Sequence, residues 1–238
     1  MDNISYLYCQ NNQLNELDLS KNTKLRWIDC GNNQLTGLDV TQNTSLSEFD
    51  CSNNQIGDLN MRQNTALERF DCSNNQLLNL DMGDNTALIR FDCSDNQLTN
   101  LDMSQIFALL YFNCSNNLLT DLDISQSEKL LTFSCDHNQL TSLDLSNKLV
   151  LQTADLNNNN LKELDFTKNG KLTHLRIDSN FFTTLDLSQN SFLWSLDVKN
   201  NPELICIQVY DLEEAKINEL LDNFKKDGSQ AWALSCGS

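Results

Sequence analysis

The stretch Leu25-Arg26-Trp27-Ile28-Asp29-Cys30-Gly31-Asn32-Asn33-Gln34-Leu35, continued by Thr36-Gly37-Leu38-Asp39-Val40-Thr41-Gln42-Asn43-Thr44-Ser45, returns every 21 residues. With the cysteine as position zero, one phase holds Cys9, Cys30, Cys51, Cys72, Cys93, Cys114 and Cys135, then Leu156, Ile177 and Val198. Ten copies of one unit imply a solenoid, in which each coil buries its apolar side only by stacking on its neighbours.

Alternation around position zero sends residues −2 and 0 inward and −3, −1 and +1 outward. The inward columns are apolar. Column −2 reads Leu7, Ile28, Phe49, Phe70, Phe91, Phe112, Phe133, Ala154, Leu175 and Leu196, and column +8 is leucine from Leu17 to Leu185. Columns −5, +5 and +10 complete the set of apolar positions. Position +3 is asparagine in every copy, from Asn12 to Asn201. The chain leaves the strand there and turns inside the core, so its backbone groups need partners. A buried amide supplies them, to the turn and to the next asparagine. The cysteines are 21 apart on successive strands rather than in close CxxC pairs, which argues against metal chelation. They read as small buried hydrophobes, reduced and slow to react.

The spacing LxxLxCxxNxL is the leucine-rich repeat signature in a 21-residue form, with cysteine in one leucine slot. It resembles the repeats of the bacterial internalins, over about 200 residues. The resemblance implies an α/β solenoid: a right-handed leucine-rich repeat superhelix with a parallel concave sheet, a short-strand, 3-10 or irregular convex side, and a C-terminal helical cap. The boundaries that follow are a solenoid over 1–202 and a cap over 203–238. It further implies adhesion or host-surface contact by a secreted or cell-surface protein, with a cytoplasmic protein as the alternative. The start, Met1-Asp2-Asn3-Ile4, shows neither the basic nor the apolar region of a signal peptide.

Composition narrows the partners. The 238 residues carry 33 acidic and 16 basic side chains, a formal charge of −17. Phosphate backbones and anionic bilayers are repelled by such a surface, so neither nucleic acid nor membrane insertion is expected. No apolar run reaches the length of a membrane span. With two histidines, His137 and His174, on different columns, no Ser/His/Asp arrangement emerges. No catalytic residue, resident metal or cofactor is assigned.

The concave face carries the candidate binding residues. Column −1 places Asp29, Asp50, Asp71 and Asp92 on four consecutive strands, and column −3 places Trp27, Arg69, Arg90 and Tyr111 beside them. Aromatics and arginines next to a charged ladder have the make-up of an interface hot spot for a protein or glycan ligand. The competing reading has Arg69 and Arg90 pairing with the aspartates on a solvated face. A structural spacer or assembly unit, stacking on another domain or copy, is the alternative function. A second acidic column at +9, Asp18 to Asp186, needs compensation from backbone N–H groups, from the Ser or Thr at +11, or from calcium.

In the tail, Leu204–Val209 reads as a last strand and Asp211 as the cap of a helix to about Lys226. Leu212, Ala215, Leu220 and Phe224, with Ile217 and Leu221, form its apolar side. Ala231–Leu234 reads as a final short strand. Asn201-Pro202-Glu203-Leu204-Ile205-Cys206-Ile207-Gln208-Val209 resembles the closing motif of secreted bacterial leucine-rich repeat proteins, which implies a Cys206–Cys236 disulfide and an oxidising compartment. Two reduced core cysteines are the alternative. Alkylation of the denatured, unreduced chain followed by mass measurement separates them: seven modified thiols if the bond exists, nine if it does not.

Overall fold

The computed structural model describes residues 4–236; residues 1–3, on which the signal-peptide reading partly rests, and 237–238 lie outside it. The chain divides into two compact units, Met1–Leu119 and Thr120–Ser238. The first contains β1 (Tyr6–Tyr8), β2 (Trp27–Asp29), β3 (Glu48–Asp50), β4 (Asp58–Asn60), β5 (Arg69–Asp71), β6 (Asn79–Asp81), β7 (Arg90–Asp92) and β8 (Tyr111–Asn113). Strands β1-β2-β3-β5-β7-β8 stack in that order, and each pairing among them is parallel. On the return side of the coil, β4 pairs with β6.

The second unit contains β9 (Thr132–Ser134), β10 (Thr153–Asp155), β11 (His174–Arg176), β12 (Leu185–Leu187), β13 (Ser195–Asp197), β14 (Cys206–Val209), α1 (Leu212–Leu220), β15 (Phe224–Lys225) and β16 (Ala231–Ala233). Its main sheet runs β9-β10-β11-β13-β15 and its return-side sheet β12-β14-β16. Register is a shift of one repeat: Phe49 faces Phe70 and Thr153 faces His174, each 21 residues on. A 21-residue coil leaves only about three residues for each strand, so backbone pairing between coils, not strand length, holds the sheet.

The core follows the apolar columns. Leu25, Ile28, Cys30, Leu35 and Val40 of the second repeat are all buried. Phe49, Phe70, Phe91 and Phe112 form a stack of near-parallel rings, with centroids 5.4 to 5.5 Å apart and interplanar angles of 5° to 14°. The cysteines fill the narrow place where the chain leaves the strand. Cys30, Cys51 and Cys72 point their Sγ atoms at the carbonyls of Asp50, Asp71 and Asp92, at 3.4 to 3.6 Å. Burial drives the thiols of Cys51, Cys72, Cys93 and Cys135 well above the usual thiol range.

Two asparagine columns satisfy the buried turns. At +3, Asn54 donates from Nδ2 to the Cys30 carbonyl at 3.1 Å and the Cys51 carbonyl at 3.0 Å, and its Oδ1 accepts from Leu35 N–H at 3.0 Å. These bonds run to backbone of the same and the preceding coil, not to the neighbouring asparagine. The residue before it is left-handed throughout, with φ between 53° and 57° from Asn11 to Asn200. Asparagine and aspartate tolerate that region better than other side chains, which explains the recurrent Asn-Asn pair.

The second column, at +13, was not read from the sequence. Asn43, Asn64, Asn85, Asn169 and Asn190 are buried, and each donates to two carbonyls of the preceding coil, as Asn64 does to Val40 and Asn43 at 3.0 Å. Ile106, Ser127 and Lys148 replace asparagine in three consecutive repeats. Two further readings are corrected. Position +1 is not uniformly outward: Ser52, Ser94, Ser115 and Asn157 are buried, while Ser73, Asp136 and Asp178 are half-buried and Lys199 is exposed. Ser52 and Ser94 fold over the strand end to the −1 carboxylate instead of following strict alternation.

The helix is also shorter than the sequence suggests. Asp211 caps it, accepting from Glu213 and Glu214 N–H at 2.8 and 3.1 Å, but it stops at Leu220, and Asp222 is left-handed at φ 59°. Only Ala215 and Asn218 of the helix are buried; Ile217, Leu220 and Leu221 face outward, Leu220 at 87% exposure. Phe224 closes the stack instead, as a strand residue paired with Leu196. Cys206 and Cys236 form a disulfide, and β14 extends the return-side sheet between β12 and β16. Among the described residues no helix is long and apolar enough to cross a membrane.

Lys148 is a cost in this design. Its side chain is fully buried in the asparagine column, its Nζ bonds Asn147 Oδ1, and burial lowers its pKa against the opposing pull of Asp144, Glu128 and Asp123. An asparagine here would donate to the carbonyls of Ile124 and Ser127 as Asn169 does one coil on. Lys148→Asn is expected to stabilise the chain by about 1–2 kcal/mol, seen as a higher midpoint in thermal melts; a lower midpoint contradicts this account.

Candidate functional site

The candidate binding residues occupy the exposed face of the first unit's main sheet. Register sets them in two parallel rows. Trp27, Glu48, Arg69, Arg90 and Tyr111 face one another across β2, β3, β5, β7 and β8, and so do Asp29, Asp50, Asp71, Asp92 and Asn113. All eight residues singled out from the sequence therefore lie on one surface. Arg69, Arg90 and Tyr111 are exposed; Trp27 and the four aspartates are half-buried. Tyr8 packs against Trp27 with ring centroids 5.8 Å apart and extends the aromatic end of the row.

The aspartates are held by position +1. Asp50 Oδ1 accepts from Ser52 N–H at 2.9 Å and Ser52 Oγ at 2.7 Å; Asp71 and Asp92 are held the same way by Ser73 and Ser94, and Asp29 accepts from Gly31 N–H at 3.2 Å. This is the turn that a short carboxylate makes with backbone two residues on. The serines were missed as functional parts, though the Asp-x-Ser spacing carried the signal. Only one oxygen of each carboxylate is used this way. Asn113 Nδ2 reaches Asp92 Oδ2 at 3.1 Å.

The arginines do not neutralise the ladder. Arg69 Nη1 lies 3.6 Å from Glu48 Oε2, in its own row, and Arg90 makes no ion pair among the described residues. Crowding is felt electrostatically. The Asp71 carboxyl is raised above the usual carboxylate range by burial first, against the bonds from Ser73, with Asp92 and Asp50 adding to the rise. Asp29 is raised by burial and by Asp50, against the Gly31 bond.

The +9 column has its own compensation. Asp18, Asp39, Asp102, Asp123, Asp144, Asp165 and Asp186 each accept a backbone N–H from the residue at +11, at 2.8 to 3.0 Å. Hydrogen bonding there lowers the carboxyls of Asp18, Asp39, Asp102, Asp123, Asp144 and Asp165. Asp81 is the exception, bound by Arg62 at 2.6 Å. Among the described residues no group of three or more His, Cys, Asp and Glu side chains is placed to hold a metal ion. His137 bonds its neighbour Asp136, and His174 packs edge-on against Trp194 at 4.4 Å.

A carboxyl raised in the folded state contributes stability that is full below the unfolded pKa and lost as pH rises through the folded one. Asp71→Asn keeps the acceptor, as Asn113 does for Ser115 N–H at 3.1 Å. The variant is expected to melt above the parent at pH 7, with the gain vanishing as pH falls to about 4. A variant that melts lower at pH 7 rejects the repulsion described here.

No protein-family model and no curated protein sequence matches the chain. Solved structures do. The functional domain of InlJ from Listeria monocytogenes, which includes a cysteine ladder, is 30% identical with a TM-score of 0.62, over 95% of this chain and 64% of that one. A leucine-rich repeat protein of Leptospira interrogans is 21% identical with a TM-score of 0.73, over 91% of this chain and 58% of that one. TLR13, in its complex with the RNA ssRNA13, is 18% identical with a TM-score of 0.65, over 92% of this chain and 34% of that one. The chain thus spans less than two thirds of each of these proteins, and the last two speak for the fold alone. The register of the coils, the buried cysteine column and the likeness to InlJ agree on a leucine-rich repeat solenoid whose stacked 21-residue coils fit the internalin type of repeat.

Proposed function

We propose that the chain is a non-catalytic binding module that holds a protein partner on the main-sheet face, with Trp27, Asp29, Asp50, Arg69, Asp71, Arg90, Asp92 and Tyr111 as its contact residues. The observation that carries this is the ladder of four aspartates whose charge the neighbouring arginines leave uncompensated. Preorganised carboxylates in a fixed row suit a partner segment rich in lysine or arginine, while the tyrosine and tryptophan supply anchoring area. A net charge of −17 favours the same kind of partner and disfavours RNA. The chemistry of the row suits a polypeptide better than a glycan, because its charged groups exceed its aromatic platforms. The solenoid over 1–202 presents this face and the segment 203–238 serves as its cap.

The Cys206–Cys236 bond supports a place for the protein outside the cytosol, secreted or at the cell surface. The reading is tested by screening the chain against arrays of surface and secreted proteins and of glycans. A protein captured by the parent is expected to bind at least tenfold more weakly to the Asp50→Asn/Asp71→Asn/Asp92→Asn variant, and more weakly in high salt. Equal binding by parent and variant, or signals on glycans alone, overturns it.

A further inference from the structure

The second unit breaks the pattern that satisfies the aspartate ladder. In the first unit a serine at +1 donates to the carboxylate at −1, as Ser52, Ser73 and Ser94 do. In the second unit, position +1 is occupied by Asp136, Asn157 and Asp178 in consecutive repeats. Acceptor oxygens stand where hydroxyl donors stood. Asp155 Oδ1, Asn157 Oδ1 and Asp178 Oδ1 are all buried with no hydrogen-bond donor. Asn157 as a whole is only 3% exposed.

The other carboxylate oxygens of this cluster are engaged. Asp155 Oδ2 accepts from Arg176 Nη1 at 3.0 Å, and Asp178 Oδ2 from Ser179 Oγ at 3.4 Å. Three oxygens remain: Asp155 is the last residue of β10, and Asn157 and Asp178 lie two residues past the ends of β10 and β11. His137 N–H bonds the Asn157 carbonyl and Asn158 N–H bonds the Asp178 carbonyl, both at 3.0 Å. Unpaired buried acceptors are costly, and two of these three belong to carboxylates.

We propose that Asp155 Oδ1, Asn157 Oδ1 and Asp178 Oδ1 form a binding site for a hard divalent cation of the calcium type. Two carboxylate oxygens and one amide oxygen are the donor set such an ion takes, with water completing its shell. The third ligand is an amide, so the cluster differs from an all-carboxylate or His/Cys centre. Charge points the same way: Asp155 and Asp178 both feel the single guanidinium of Arg176, while Asp136 adds negative charge beside Asp155 and Asp197 beside Asp178. The Asp155 carboxyl is pushed up to about 6 by burial first and then by Asp136 and Asp178, against the pull of Arg176. A bound cation relieves this repulsion, and so does a proton, which is the rival account.

The experiment titrates calcium chloride into the chelator-stripped chain by calorimetry and follows thermal melts with and without calcium at pH 7. The expected result is one calcium per chain and a midpoint raised by roughly 5–10 °C when calcium exceeds its Kd a hundredfold. Asn157→Ser and Asp178→Ser restore the hydroxyl found at Ser52, Ser73 and Ser94. Each is expected to melt no lower than the parent without calcium and to bind calcium at least tenfold more weakly. Two results overturn the proposal. One is the absence of binding at millimolar calcium, with stability rising instead as pH falls from 7 to 5, which assigns the cluster to a proton shared among the same carboxylates. The other is equal binding by both variants, which moves the ion to another acidic column.

Discussion

Each coil of this chain turns inside its own core, and the polar backbone of that turn has to be satisfied without water. Everything else in the structure is compatible with that demand or exists because of it. The asparagine amides at +3 and +13 reach carbonyls in their own and the preceding coil, so the bonds that satisfy one turn also set the height of the next. The apolar columns supply the driving force, but they are non-directional; a leucine stack alone would tolerate a slip. The amide ladders do not, because a displaced coil leaves buried donors and acceptors unmatched.

The same register turns a periodic sequence into a patterned surface. Once coils superimpose, any residue repeated at −1 or −3 becomes a row with the spacing of neighbouring strands. Aspartates that are 21 residues apart in the chain become neighbours whose charges add. Their orientation is fixed from inside the repeat by Ser52, Ser73 and Ser94, which engage one oxygen of each carboxylate; the second oxygen of Asp92 goes to Asn113, and those of Asp50 and Asp71 are left for outside chemistry. Arg69 finds Glu48 instead of the ladder because the two share a row. Where serine gives way to Asn157 and Asp178, the same geometry strands oxygens instead of holding them.

The C-terminal segment shows how a solenoid ends. It does not rely on an amphipathic helix laid over the last coil. Phe224 and Lys225 add a short strand beside Leu196 and Asp197, and β14 and β16 prolong the return-side sheet. The helix between them buries little beyond Ala215 and Asn218 and leaves Ile217, Leu220 and Leu221 in solvent. The disulfide ties the strand that begins this segment to the residue that ends its described part.

The sequence by itself determined the coil, its length, its inward columns, the +3 asparagine ladder and the two rows of the strand face, because each follows from a period of 21 and from the chemistry of one position. The Cys206–Cys236 pairing was legible through resemblance alone. Only the tertiary structure decided what depends on contacts between coils: the inward fold of the +1 side chains, the amide ladder at +13, the choice of Glu48 by Arg69, and the strand that takes Phe224 away from the helix. Periodicity says which residues share a row. Which of two neighbouring partners a side chain takes, and whether a buried oxygen finds a donor, depends on distances of a few tenths of an ångström that no repeat pattern encodes.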